Sequence, residues 1–302
     1  MLNGPGSPRR VFATSPDARH TLVGMVHLGR LFGEGRVQGP DLATVEAEAA
    51  RDAERLAAAG FDAIFIENFG DRPFYPDEVP PWTIAALTRC VLAVQRAVGP
   101  ALPLGVNVLR NDARAALSVA AATGAHAIRV NVHVGAAVTD QGIIQGDAAA
   151  TMRLRRALRA DNVSIWADVD VKHSAPLGGP RPLEQEVEDL TKRGMADVVL
   201  VTGDGTGKGV DLDKLMSVKK VASKPVLVAS GATIDTLHEL ARASDGVVVG
   251  SALREGGVPG GPVDAGRARE FAAAFKTAFG SSVRPRSEAQ PAAAGSQSPP
   301  RT

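Results

Sequence analysis

Eight short apolar runs alternate along the chain with longer stretches of helical period. The runs are 22–27 (LVGMVH), 62–67 (DAIFIE), 103–108 (PLGVNV), 127–132 (AIRVNV), 164–170 (SIWADVD), 197–202 (DVVLVT), 225–229 (PVLVA) and 246–250 (GVVVG). Such runs suit strands covered on both faces. Between them, Leu183, Val187 and Leu190 fall at i, i+4 and i+7, with Glu184, Glu186, Glu188 and Asp189 facing elsewhere; Ile234, Leu237 and Ala241 form a second helical stripe. One phrase recurs at 57–68, 121–132 and 191–203, and in degenerate form at 241–251: helix tail, glycine, polar step, strand. Glycine there suits the left-handed residue just past a helix end. Strict β–α alternation implies a parallel sheet, and eight units predict a (β/α)8 TIM barrel. An open doubly wound sheet is the runner-up. No Gly-x-Gly-x-x-Gly follows the first strand, which disfavours that fold and leaves no nucleotide cofactor evident.

Within the strands the polar residues keep one parity. His27, Glu67, Asn107, Arg129, Asn131, His133, Asp168, Asp170 and Lys172 alternate with aliphatic residues, and they gather toward the strand ends. Barrel enzymes build their sites at those C-terminal ends. Charge is costly to bury unless it is paired or used, so this convergence predicts an active or binding site. The loops add Asn68 and Asp71 in ENFGDRPF, and Arg110, Asn111 and Asp112 in NVLRND. Arg110 reads as an anion clamp or as a surface ion pair; Asp112 reads equally as a site residue or a helix N-cap.

The last three strands each end in small residues: Thr202 and Gly203, Ser230 and Gly231, Gly250 and Ser251. Each pair alone could be a tight turn with a helix cap. Together they predict a phosphate site, because late barrel loops present backbone N–H groups to anions.

Asp168, Asp170, Lys172, Glu67, His27 and His173 are the candidate catalytic groups. Asp168 and Asp170 would keep Lys172 protonated, which favours an acid/base or orienting role over imine formation. Asn68, Asp71, Asn107, Arg110, Asn111 and Asn131 are the candidate substrate contacts. Glu67, Asp168 and Asp170 could hold a hard divalent metal, although no close metal-ligand spacing such as HExxH occurs. His20, His126 and His238 read as structural.

Composition narrows the partners. The 302 residues carry 34 Lys and Arg against 33 Asp and Glu without a basic cluster, which argues against nucleic acid. No stretch reaches the ~18 apolar residues of a membrane span. The single cysteine, Cys90, fits a reducing, cytoplasmic setting and reads as a buried, inert thiol. Residues 1–20 read as a disordered leader and the Pro/Ser/Ala-rich 280–302 as a disordered tail, leaving one domain over 21–279. A homo-oligomer is expected for this fold class.

The blocks GMVHL (24–28), ENFGDRPF (67–74), GVNVLRND (105–112), IRVNV (128–132), TDQGII (139–144), ADVDVKH (167–173), VTGDGTG (201–207) and SGAT (230–233) resemble, in order, those of the BtpA family, which includes SgcQ-type proteins. The resemblance covers roughly 21–276 and implies a ribulose-phosphate-binding type of barrel. It carries no settled reaction. A photosystem I biogenesis role attaches to the cyanobacterial member, while the family extends far beyond photosynthetic organisms. Ala229 stands where similar barrels often carry glycine, and Arg254 and Glu255 depart from a lysine-aspartate-glycine region. Two functions follow as alternatives: an enzyme of lyase, isomerase or glycosyl-bond type on a small phosphorylated or anionic metabolite, or a non-catalytic biogenesis factor that keeps a ligand-binding barrel.

Overall fold

The computed structural model describes residues 20–32, 40–171, 174–178, 181–203 and 209–280. The expected leader (apart from residue 20) and the expected tail (apart from residue 280), together with Lys172 and His173, lie outside the described residues. In chain order the strands are β1 (Thr21–His27), β2 (Ala63–Glu67), β3 (Leu104–Asn107), β4 (Ala127–Val130), β5 (Ala136–Thr139), β6 (Gly142–Gln145), β7 (Ser164–Val169), β8 (Ser174–Pro176), β9 (Val198–Val201), β10 (Val226–Val228) and β11 (Gly246–Val249). Eight of them close a parallel barrel in the order β1-β11-β10-β9-β7-β4-β3-β2, and these are the eight apolar runs of the sequence.

The barrel is wrapped by α1 (Leu42–Ala59), α2 (Pro81–Val98), α3 (Ala113–Thr123), α4 (Ala148–Ala157), α5 (Leu183–Glu188), α6 (Leu212–Val221), α7 (Leu237–Ala243) and α8 (Ala265–Gly280). Their ends follow local chemistry. Asp41, Asp112, Asp147 and Asp211 accept backbone N–H bonds at the starts of α1, α3, α4 and α6. Gly60 and Gly124 take left-handed φ of 86° and 76° just after α1 and α3. In α1 the buried stripe is Val45, Ala49, Ala53 and Leu56, a helical period turned toward the sheet.

The strand period of two separates two cores. Outward positions such as Ile64, Ile66, Val106, Ile128 and Ile165 join the helices in one large apolar cluster. Inward positions form a second cluster that includes Met25, Phe65, Trp166, Leu200 and Leu227. Phe65 and Trp166 plug the barrel, with ring centroids 4.8 Å apart. Gly105 leaves room for the Phe65 ring, which a Cβ there would meet at 2.4 Å. The two rings fill the middle of the barrel, and the charged side chains of the inward face gather above them.

The pattern of apolar runs did not foretell a three-stranded sheet, β6-β5-β8, beside the barrel. It arises in the segments after β4 and β7, so it stands at their C-terminal ends. Its residue Ile144 forms a small apolar cluster with Val132 and Val171.

Candidate functional site

Parallel pairing brings His27, Glu67, Asn107 and Arg129 into one row across β1, β2, β3 and β4. Two hydrogen-bonded groups result. In the first, His27 Nε2 lies 3.3 Å from Glu67 Oε1, and Asn107 Nδ2 donates to Glu67 Oε2 at 3.0 Å. His27 Nδ1 accepts the Gly260 N–H at 3.2 Å. That bond assigns the ring proton to Nε2, where it faces Glu67. The imidazole also stacks on Phe69, at 4.5 Å between centroids, and the Arg72 guanidinium lies 4.2 Å from the same ring's centroid.

In the second group Arg129 donates to both carboxylate oxygens of Asp168, from Nε at 3.0 Å and from Nη2 at 2.9 Å. Asn131 Nδ2 adds a third bond to Asp168 at 2.7 Å. Burial works against the charge on Arg129, but the Asp168 carboxylate outweighs it and the pKa is raised above the ordinary arginine value. Arg110, also buried, feels the same field: burial lowers its pKa, while Asp168 pulls it back and Arg129 repels it. Glu67 and Asp140 act on Arg110 as well, so its guanidinium is within electrostatic reach of the polar row and of the β5–β6 turn.

Several candidate contacts are occupied in joining loops. Asn68 accepts the Leu109 N–H at 2.8 Å and donates to Asp71 at 3.2 Å, while Asp71 accepts the Leu31 N–H at 2.9 Å. Together they weld the loops after β1, β2 and β3. Asn111 pairs with both backbone groups of Val132, at 2.8 and 2.9 Å, and fixes the loop after β3 to the one after β4. Asp112 is the N-cap of α3 and also accepts the Val79 N–H at 2.8 Å. Burial raises its pKa. Asn68 and Asp71 also line a shallow open cleft with Arg30, Arg72, Tyr75 and Trp82.

Asp170 departs from the inward column. It adopts φ of 50° just past β7, ending the strand alternation, and its half-exposed carboxylate pairs with Lys214 instead of pointing into the barrel. His133 is buried too, but its Nε2 lies 2.8 Å from the Gly194 carbonyl oxygen, away from the row. Among the described residues, no group of three His, Cys, Asp or Glu side chains is placed to hold a metal ion. Glu67, Asp168 and Asp170 are thus not gathered as a metal triad.

The six small residues occupy the ends of β9, β10 and β11, which are consecutive in the barrel. Gly231 has φ of 76°. Gly250 lies against the first group, since a Cβ there would stand 3.0 Å from His27 Nε2. Ala229 sends its methyl into the inner core instead. Arg254, completely buried, bonds Asp52 at 2.8 Å, Gly261 O at 2.6 Å and Met25 O at 2.7 Å. It fastens the segment after β11 to α1 and β1, a structural task.

The sequence reading placed Arg129 on the inward parity without giving it a role. The signal available was its parity with Asp168 one strand away, and only the register supplies the partner. The family model described as "BtpA family" matches residues 18–277. The chain belongs to the BtpA family. A relative from Thermococcus kodakarensis, described as an uncharacterized protein, is 43% identical over 265 residues, covering 88% of this chain and 98% of its own. The photosystem I biogenesis protein BtpA of Synechocystis is 42% identical over 237 residues, covering 78% and 81%. Among solved structures, thiamine phosphate pyrophosphorylase from Pyrococcus furiosus superposes with a TM-score of 0.53 at 15% identity, covering 87% of this chain and 98% of its own. A 3-hexulose-6-phosphate synthase gives 0.53 at 19%, covering 84% and 99%. At such identities these two support the barrel fold alone. No described helix is long and apolar enough to cross a membrane.

Proposed function

We propose that this BtpA-family protein is an enzyme acting on a small phosphorylated or otherwise anionic metabolite at the C-terminal rim of its barrel. The observation that carries this reading is the His27–Glu67 pair, 3.3 Å apart and almost fully buried, set directly against Gly250 of the last small-residue loop. In the proposed arrangement Thr202, Gly203, Ser230, Gly231, Gly250 and Ser251 hold the phosphate. The rest of the ligand then extends over His27 and Glu67 toward Arg110, whose guanidinium clamps a second anionic or carbonyl oxygen.

Glu67 is held between two donors, His27 Nε2–H and Asn107 Nδ2–H. A carboxylate and an imidazole sharing one proton can take a proton from substrate and return it at another atom, the step common to isomerases and many lyases. Asp168 serves at one remove in this reading: saturated by Arg129 and Asn131, it positions the guanidinium of Arg129. The solved barrels named for phosphorylated substrates agree with a phosphate ligand, and that agreement is one of fold.

The competing reading is a ligand-sensing barrel without chemistry, favoured by the biogenesis name of the Synechocystis relative. Incubating a metabolite pool with wild type and with Glu67→Gln separates them. Turnover by wild type that falls about 10²-fold or more in the variant supports the enzyme; binding without turnover in either supports the sensor.

A further inference from the structure

Two buried amides, one in each hydrogen-bonded group, are half used. Asn107 is 1% exposed and Asn131 is 4% exposed, and each spends its Nδ2 on a carboxylate, Glu67 and Asp168 respectively. Those carboxylates settle the amide orientation, because only the nitrogen end can donate to them. The other end of each amide, the Oδ1 acceptor, is buried without a hydrogen-bond donor among the described residues. A buried acceptor left empty costs free energy, and two of them at the ends of neighbouring strands at the mouth of one barrel ask for donors that the described residues do not supply.

We infer that Asn107 and Asn131 are specificity-determining residues whose Oδ1 atoms accept hydrogen bonds from hydroxyl groups of the ligand, so that the substrate is a polyhydroxylated anion. This inference rests on the proposed site and names the part of the ligand that the phosphate loops do not touch. Charge selects hydroxyls over an ammonium group. Arg110 and Arg129 both lie in the field of Glu67 and Asp168. A further cation would be repelled by those two guanidiniums, whereas neutral O–H donors satisfy the amides at no electrostatic cost.

Matched probes test this by titration calorimetry: a pentitol 5-phosphate, n-pentyl phosphate, inorganic phosphate, and the phosphate-free pair pentonate and pentanoate. Wild type is expected to bind the pentitol ester about tenfold or more tighter than the pentyl ester, from two neutral hydrogen bonds. Asn107→Ala and Asn131→Ala should each shrink that margin about three- to tenfold while inorganic phosphate binds unchanged. The inference is overturned if wild type shows no polyol margin in either pair, or if the margin survives both substitutions. Should an alanine variant fail to fold, the wild-type margin decides alone. If no phosphate compound binds but pentonate is preferred in an asparagine-dependent way, the phosphate assignment falls and the amide inference stands.

Discussion

Arg129 grips Asp168 with two hydrogen bonds of 3.0 and 2.9 Å, from β4 to β7, with both side chains buried. The pair bridges two adjacent strands just above the Trp166 plug, where water cannot replace a lost partner. Removing one member leaves a buried charge unmatched. Arg129→Met and Asp168→Asn are each expected to destabilise the fold by about 3–5 kcal/mol in urea unfolding. The double substitution should cost clearly less than their sum, because neither charge is then stranded.

Glu67 should matter to function more than to stability. Glu67→Gln keeps an oxygen for one donor and removes the charge that faces the His27 proton. A loss of about 10²-fold or more in turnover is expected, with a melting temperature close to wild type. His27→Gln should behave alike, since the two share one proton.

His133 gives a pH signature. Burial lowers its pKa below the ordinary 6.5, an effect that its bond to Gly194 only partly offsets. The unfolded chain therefore takes up the proton first as pH falls. Stability is complete above about 6.5 and declines below it, by at most about 1.4 kcal/mol per pH unit for this one group. His126, also lowered by burial, adds in the same direction, so the difference between wild type and variant is the readout. In His133→Gln, urea unfolding from about pH 7 to pH 5 should show a shallower acid loss; an unchanged slope would contradict it.

Cys90 is completely buried in α2, and burial pushes its thiol up to about 12. A thiol reagent at neutral pH should leave the native protein unmodified over the time in which denatured protein reacts fully.

Much of the fold was legible in the sequence because period-two strands and glycine-ended helices are local signals. The polar row was legible for the same reason: His27, Glu67, Asn107 and Arg129 declare their face by parity alone, as Asp168 does above them. Parity failed at Asp170, where a left-handed residue ends the strand and turns the carboxylate to Lys214. It was silent on the Arg129–Asp168 pair, whose members lie 39 positions apart and meet only through register. The β5–β6 hairpin was missed because its strands are four residues each and largely exposed, so no apolar run marks them. Asn68 and Asn111 offered polar side chains in loops, and the sequence could not tell a ligand contact from a clamp on the backbone.

In the proposed site the loops after β9, β10 and β11 and the His27–Glu67 pair bind one anionic ligand together. The most direct test of that shared site is the melting temperature of wild type and Gly250→Val across a panel of phosphate esters. A side chain at Gly250 would press on the His27 ring, which a Cβ already approaches to 3.0 Å. A ligand at about 100 times its Kd stabilises by about 2.7 kcal/mol, so at least one ester should raise the wild-type melting temperature by about 5 °C or more, and the variant should lose most of that rise. Indifference of the wild type to every ester, or an equal rise in Gly250→Val, would contradict the account.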